Sequence, residues 1–349
     1  MSEQLKEPFL RPNLTNKGTL PDGKEPVAEC PDIWCAGNTP IFDFQNTLAS
    51  EEYYQSASET KYISGYNNYF YLRVKNGSDK EINDLSAQIF YAPSSIICWP
   101  SEWKAMPVEN HAEGDTVNTF DKIPSQAVGV AKAPFIMPRS LSQDVNYCYI
   151  ARVYSDEYPN PMPSQLSPIY IASMLTKHMF WGQKNIASVP VEDAPQISIT
   201  INVSVPAESL GTGNMWLLAL YTEEAEKLQV EVRNSRTDDN GKQIVLSKQN
   251  AEEDMFIGRF RLDKGYSSQL SVYVYLPEGY VATEKEKFIL NMGYIVNGEE
   301  YKQATDLDAL NETFKTMALR ELRANGEATD NIEGVVRVGS YTVQLKAKK

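Results

Sequence analysis

The feature that most constrains the fold is an alternation of apolar and polar residues with a period of two. It is strictest in residues 197–205, where Ile and Val alternate with Ser, Thr and Asn. Because successive side chains of a β-strand point to opposite faces, this pattern predicts a strand with one buried face. Similar alternation recurs at residues 69–76, 85–91, 228–233 and 269–276. We therefore expect a mainly β protein made of antiparallel sheets.

Proline distribution supports this fold class, and one segment departs from it. Prolines recur every few residues between Pro93 and Pro138, which excludes long helices there and suits the loops and edges of a β-sandwich. In the other segment, apolar residues recur at steps of three and four: Leu307, Leu310, Phe314, Met317, Ala318 and Leu322. This helical period predicts an amphipathic helix over about 306–324 that packs across the open end of a sandwich. Membrane insertion of the same helix is the alternative.

The chain divides by composition into three parts. Residues 1–28 are rich in Pro, Gly, Asn, Lys and Glu without a sustained period, which predicts a flexible N-terminal arm. The clearest boundary lies at residues 189–195, where two prolines and two acidic residues interrupt the strand pattern. We therefore expect two tandem antiparallel β-sandwich domains, over 29–193 and 195–349. The helix would be an insertion near the end of the second domain.

Charge and hydropathy exclude several classes of partner. Asp and Glu number 46 against 33 Lys and Arg, for a formal net charge of -13. A surface of this sign repels phosphate backbones, so we expect no nucleic-acid partner. The sequence begins MSEQLKEP, without a positively charged start and an apolar run behind it, and we expect no N-terminal signal peptide. No window is apolar enough for a membrane helix, and we expect a cytoplasmic protein or one released by a signal-less route.

The sequence carries no recognisable catalytic or metal-binding pattern. His111 and His178 stand outside any nucleophile motif, and neither is spaced with a cysteine as a zinc ligand pair. We therefore expect no catalytic residue, metal or cofactor, and a protein that is not an enzyme. The acidic clusters at 223–226 and 252–254 are typical of a solvated surface. A carbohydrate-active enzyme that uses an acidic pair is an alternative, because two carboxylates at a suitable distance suffice for that chemistry.

Four cysteines are too few for a disulfide scaffold. Cys98 and Cys148 both lie in apolar, strand-like runs, which predicts buried thiols. If the chain is exported, these two residues are the candidate pair for a disulfide.

Aromatic residues are the best binding candidates. Trp99 and Trp103 bracket a Pro-Ser-Glu loop, and Tyr53 and Tyr54 lie in a polar, Ser-rich segment. Aromatic faces beside polar groups are common where proteins hold sugars or partner proteins, so we predict ligand or partner binding at these four residues. The alternative is that one or both tryptophans fill a sandwich core.

A series of short motifs resembles a known module. In order they are Pro31–Trp34, Asn68–Asn76, Trp99–Trp103, Ile123–Ser125, Ala133–Phe135, Tyr147–Val153 and Lys184–Ala187. Over roughly residues 30–193 the sequence resembles the CARDB-like immunoglobulin-like β-sandwich modules of bacterial surface and secreted proteins. The resemblance implies an immunoglobulin-like fold for the first sandwich, and we expect the second domain to be a further immunoglobulin-like sandwich. It implies adhesion, assembly or spacing without catalysis, and it implies no active-site residue.

We therefore predict a non-enzymatic binding or assembly protein of bacterial type. It would be an adhesin-like or receptor-binding accessory of a secreted or particle-associated system, with a protein partner or a cell-surface glycan as ligand. One alternative is a subunit of a secreted toxin, pore-forming or insecticidal; another is the carbohydrate-active enzyme. The sequence leaves the oligomeric state open, although sandwich edges and an N-terminal arm permit strand exchange between chains.

Overall fold

The chain divides into two units. The first comprises Met1–Pro93, Glu102–Pro163 and Leu175–Asn185, and the second comprises Ser94–Ser101, Ser164–Met174 and Ile186–Lys349. The computed structural model describes residues 4–21, 27–50, 63, 65–93, 96–97, 99–139, 147–163, 167–176, 179–190, 195–209, 215–282, 285–296, 315–316, 319–320, 322–323, 332 and 334–346. Strands predominate over helices in these residues, which confirms a mainly β fold.

The first unit contains two five-stranded sheets. Its strands and one helix are β1 (Pro8–Phe9), β2 (Ile33–Gly37), α1 (Phe44–Leu48), β3 (Asn68–Asn76), β4 (Ser86–Pro93), β5 (Lys104–Ala105), β6 (Asn118–Thr119), β7 (Val128–Val130), β8 (Phe135–Met137), β9 (Tyr147–Tyr154) and β10 (Trp181–Lys184). One sheet has the order β1-β3-β2, with β7 and β8 also paired to β3. The other has the order β10-β9-β4-β5, with β6 paired to β4. All of these pairs are antiparallel.

One hydrophobic cluster joins the two sheets of the first unit. It includes Phe70 and Leu72 from β3 and Ile89 and Ala151 from β4 and β9. The alternation in each strand supplies this apolar face. Burial of such side chains is the main stabilising contribution to a fold of this kind.

The N-terminal segment, predicted as a flexible arm, has a defined place in the first unit in residues 4–21. Strand β1 pairs with β3, and Phe9 and Leu10 are 2% and 1% exposed. The Arg11 side chain forms an ion pair with buried Asp32, and its backbone N–H donates to the same carboxylate at 2.8 Å. Burial raises the pKa of Asp32, but the Arg11 charge and hydrogen bonds outweigh it, so the pKa lies below its ordinary value. Apolar burial and an ion pair thus fix a segment whose composition is typical of disorder.

The second unit also contains two sheets. Its elements are α2 (Pro168–Thr176, all but its last two residues), β11 (Ile186–Pro190), β12 (Gln196–Ser204), β13 (Met215–Glu223), β14 (Gln229–Asn234), β15 (Val245–Asn250), β16 (Asp254–Arg261), β17 (Ser267–Tyr275), β18 (Lys287–Val296) and β19 (Gly334–Lys346). The five-stranded sheet has the order β11-β19-β18-β13-β16, and the four-stranded sheet has the order β12-β17-β14-β15. Strand β11 runs parallel to β19, and the other pairs are antiparallel.

Strand β12 confirms the alternation that the sequence shows most strictly. Ile197, Ile199 and Ile201 are buried, and Ser198 and Thr200 between them are exposed. The four-stranded sheet therefore has one apolar face toward the core of its unit and one polar face outward.

The amphipathic helix predicted over about 306–324 falls mostly outside the described residues. Within it, residues 315–316, 319–320 and 322–323 are helical, and Leu322 is buried. Among the described residues, no helix has the length and apolar character needed to cross a membrane.

Candidate functional site

The structure places Trp99 in the core of the second unit. Its side chain is 0% exposed, and its indole N–H donates to the backbone carbonyl of Ser204 at 2.7 Å. Its ring meets Trp216 edge-on at a centroid distance of 6.4 Å, and Trp216 in turn meets Tyr294 at 5.0 Å. This is the position that the core-filling alternative describes, and it leaves Trp99 without a face for a ligand.

Trp103 lies in the first unit, where it is half-buried. Its ring packs against Phe90 and Trp181 at centroid distances of 5.6 and 5.3 Å. The indole nitrogen itself is buried and has no hydrogen-bond partner in the part of the chain described. The structure thus separates the two tryptophans into different units, and a binding role for Trp103 stays a prediction.

The other predicted residues are placed only in part. Tyr53, Tyr54 and Cys98 lie outside the described residues. Cys148 is a buried free thiol whose sulfur lies 3.4 Å from the side-chain nitrogen of Gln183. The Cys98–Cys148 disulfide therefore stays a prediction, conditional on export.

The acidic cluster at 223–226 forms surface ion pairs. Glu223 lies 3.6 Å from the ammonium of Lys287, and Glu224 lies 3.5 Å from that of Lys285. Exposed pairs of this kind contribute about 0–1 kcal/mol, and they fit the solvated surface that the sequence indicates. Within the described ranges, no group of three or more His, Cys, Asp or Glu side chains could hold a metal ion.

The outward face of the four-stranded sheet carries a connected group of hydrogen-bond, ion-pair and cation–π contacts. The sequence did not predict this surface as a binding site. Five side chains from β14, β15 and β17 form what we call the tyrosine–arginine face: Glu231, Arg233, Lys248, Tyr273 and Tyr275. Neutral polar side chains from β12 and β17 share that face: Gln196, Ser198, Thr200, Gln269 and Ser271. All of these residues belong to the second unit.

Glu231 organises the tyrosine–arginine face. Strand register sets it opposite Tyr273, and its carboxylate accepts a hydrogen bond of 2.5 Å from the Tyr275 hydroxyl. The same carboxylate forms an ion pair with Arg233. The Tyr275 hydrogen bond and the Arg233 contact hold the pKa of Glu231 below its ordinary value. The same hydrogen bond raises the pKa of Tyr275. Glu231 therefore stays ionised and fixes two side chains at once.

Cations lie over both tyrosine rings of this face. The Lys248 ammonium is 3.7 Å from the centroid of Tyr275, and the Arg233 guanidinium carbon is 5.7 Å from that of Tyr273. The Arg233 side chain is nevertheless 60% exposed, whereas that of Glu231 is 7% exposed. Cation–π contacts at exposed sites contribute about 0.5–1 kcal/mol each. The rings and cations are thus oriented at the surface while the anion beneath them is shielded.

Such an arrangement can bind and orient a ligand by stacking and by charge-assisted hydrogen bonds. A signal for it was present in the sequence. Tyr273 and Tyr275 stand at the polar positions of the alternating run 269–276, where a solvent-facing strand ordinarily carries small or charged residues. Two aromatic residues at the solvent-facing positions of one strand are the feature by which the sequence could have pointed to this surface.

Comparison with known proteins gives no family. No protein-family model matches the sequence, and no curated protein matches it. Among solved structures, the Enterococcus faecalis MSCRAMM ACE, which binds its ligands by the collagen hug model, is similar with a TM-score of 0.24 and 7% identity, over 81% of this chain and 90% of that chain. An Amycolatopsis orientalis exo-chitosanase, CsxA, has a TM-score of 0.16 and 11% identity, over 65% of this chain and 24% of that chain. The vicilin from Solanum melongena has a TM-score of 0.13 and 9% identity, over 78% and 88%. With TM-scores this low, none of these likenesses supports a statement about fold or function.

Proposed function

We propose that the protein is a non-catalytic binding protein and that the tyrosine–arginine face of its second unit holds the ligand. The observation that carries this proposal is the fixed group of two tyrosines and two cations around one shielded carboxylate. The ligand class is the one expected from the sequence, a partner protein or a cell-surface glycan.

The composition and rigidity of the face both favour binding. Tyr and Arg are enriched at the energetic centres of protein interfaces, and Tyr offers a large contact area for few rotatable bonds. Because Glu231 already holds Tyr275 and Arg233, less conformational entropy is lost when a ligand binds. The neighbouring hydroxyl and amide side chains can form the polar rim of such a contact.

The wider setting is also part of the proposal. Each unit would be an immunoglobulin-like sandwich, an assignment supported by the two sheets of each unit and by the cluster that joins those of the first. An adhesin-like or receptor-binding accessory of a bacterial secreted system is the role implied by the resemblance of residues 30–193 to CARDB-like modules. The toxin and carbohydrate-active enzyme alternatives stay predictions, which dye release from liposomes and glycan hydrolysis assays would test.

The experiment is a comparison of three tagged proteins: the wild type, a Tyr273→Ala/Tyr275→Ala double variant and a Tyr66→Ala control. Tyr66 is also an exposed tyrosine, but it belongs to the first unit. Each would be applied to a glycan array and to lysate and culture medium of the producing organism, with captured proteins identified by mass spectrometry.

We expect a saturable ligand that the wild type and the control bind and the double variant loses by at least about tenfold, or 1.4 kcal/mol. Circular dichroism must show that the double variant is folded. Full retention of the ligand by a folded double variant would contradict the proposed site. Chemical turnover of the captured ligand would contradict the non-catalytic role.

A further inference from the structure

Strand β12 is an edge strand without the usual protection. Proteins keep sheet edges from pairing with other chains by short strands, charged residues, proline or bulges. Strand β12 is nine residues long, Gln196–Ser204, and contains no charged residue and no proline. Its pairing with β17 runs from end to end without a register shift.

The other outer strands in the described residues are protected. In the second unit, β15 carries Lys248 and a register shift, β16 carries Asp254, Arg259 and Arg261, and β11 ends in Pro190. In the first unit the outer strands have two to four residues, except β2, which a register shift interrupts. The contrast makes β12 the edge at which another strand can be added.

Hydrogen bonds at its two ends show which backbone groups of β12 point outward. The carbonyl of Pro195 accepts a hydrogen bond from the N–H of Leu276, and the N–H of Val205 donates to the carbonyl of Tyr266. The backbone N–H and C=O groups of the odd-numbered residues therefore point toward β17. The carbonyl of Asn202 accepts instead from the N–H of Ile96, on the outer side. In a strand, the N–H and C=O groups of one residue point to the same side, and those of the next residue point to the opposite side. The backbone groups of the even-numbered residues therefore point away from β17, toward the open edge.

The described residues Ile96 and Trp99 cover one end of this edge. Ile96 bonds to Asn202, and the indole of Trp99 bonds to Ser204. Gln196, Ser198 and Thr200 keep outward N–H and C=O groups without a partner in the described part of the chain, and their side chains are exposed. Unpaired backbone groups in a regular row are a template for a further strand.

We propose that β12 pairs antiparallel with β12 of a second copy of this chain, about a two-fold axis at Ser198. In that register Ser198 faces its own counterpart, and Gln196 faces Thr200. Residues directly opposite in such a pair exchange both N–H···O bonds, so each of these outward groups gains a partner. On the inner face, Ile197 of one copy meets Ile199 of the other.

The absence of charge on β12 fits a second copy as the occupant. A two-fold axis brings identical residues together, which would be unfavourable for a charged strand, and β12 is neutral throughout. The rest of the chain has a net charge of -13, so two copies repel at long range. Salt should therefore strengthen the dimer, whereas it would weaken the attachment of a basic partner. The pairing would join two four-stranded sheets into one and turn both tyrosine–arginine faces to the same side, but it does not depend on the proposed function.

The test is sedimentation of the full chain from low to high micromolar concentration, with the variants Ser198→Pro, Ser198→Lys and Ser198→Ala. Proline removes the outward N–H and leaves the bonds to β17 intact, lysine places two like charges at the axis, and alanine is the control that keeps the edge. We expect a concentration-dependent dimer that Ser198→Ala retains. In Ser198→Pro the dimer should weaken about thirtyfold, through loss of the two bonds at the axis. Raising the salt concentration should strengthen the wild-type dimer.

Circular dichroism would confirm that each variant is folded, and Ser198→Lys alone decides the question if the proline variant is not. A wild type that stays monomeric over this whole concentration range would overturn the proposal. So would a dimer that both Ser198→Pro and Ser198→Lys leave unchanged, or one that salt dissociates.

Discussion

Replacement of Trp99 by alanine should destabilise the second unit severely. The Trp99 side chain is fully buried, donates a hydrogen bond to Ser204 and contacts the ring of Trp216. An aromatic side chain of this size buries about 150–250 Å². At about 25 cal/mol per Å², its burial contributes about 4–6 kcal/mol, close to the 3–5 kcal/mol typical of Trp→Ala substitutions in cores. We expect a loss of about 3–5 kcal/mol in the free energy of unfolding.

The assay is urea unfolding followed by circular dichroism, with two companion variants. Trp99→Phe keeps an aromatic ring but lacks the N–H donor, so it should cost less than Trp99→Ala. Gly339→Ala should displace the same segment, because its Cβ would lie 1.7 Å from the carbonyl oxygen of Ile96. Since both changes disturb the packing of this one segment, the loss in the Trp99→Ala/Gly339→Ala double variant should fall short of the sum of the single losses.

A loss below about 1 kcal/mol in Trp99→Ala would refute the reasoning, because exposed residues give changes of that size. Additive losses in the double variant would refute the coupling between Gly339 and the segment that contains Trp99. Loss of ligand binding with unchanged stability would restore Trp99 as a candidate binding residue.

Three further predictions follow from buried polar groups. The pKa of Asp32 is lowered in the folded state, so its contribution to stability is complete above the unfolded pKa of about 3.9 and is lost as the pH falls through the folded value. Asp32→Asn should therefore flatten the acid side of the curve of unfolding free energy against pH, and an unchanged curve would contradict this linkage. The Asp238 carboxylate accepts backbone N–H bonds from Asn240 and Lys242 and one from Arg261, so Asp238→Ala should cost about 2–4 kcal/mol in urea unfolding; a loss within error of zero would contradict it. Burial raises the pKa of the Cys30 thiol to about 12, so N-ethylmaleimide at pH 8 should modify Cys30 only after unfolding, as read by mass spectrometry; rapid modification of the folded protein would contradict its burial.

Local patterns predicted the strands well, because the alternation of apolar and polar side chains along a strand with one buried face can be read directly from the sequence. The run 197–205 forms β12 with the expected faces, and 269–276 corresponds to β17. The same patterns could not show that Trp99 is buried in a core whereas Trp103 is half-buried. Trp99 is buried by Ser204 and its neighbours, 105 residues further along the chain, and a contact of that range leaves no local signal.

The N-terminal segment shows how composition alone can mislead. Asn13 and Asn16, counted as features of disorder, use their side chains to close turns. The side-chain oxygen of Asn13 accepts from the backbone N–H groups of Thr15 and Asn16, and that of Asn16 accepts from Gly18. Asparagine is frequent both in disordered chains and in tight turns, and only the apolar residues beside it decide between them. The contacts of the tyrosine–arginine face could not be predicted either, because they depend on strand register. Glu231 reaches Tyr275 only through the pairing of β14 with β17.

The order in which the chain visits the two units bears on its synthesis and on how it can be divided. It passes between them at residues 93/94, 101/102, 163/164, 174/175 and 185/186. Strand β10, the outer strand of the second sheet of the first unit, leaves the ribosome only after two pieces of the second unit have been made. A fragment cut at the compositional boundary near residue 193 would carry Trp99 without Ser204 and Trp216, and an apolar segment would face water. Expression of the intact chain, rather than of separate halves, is therefore the route to soluble protein.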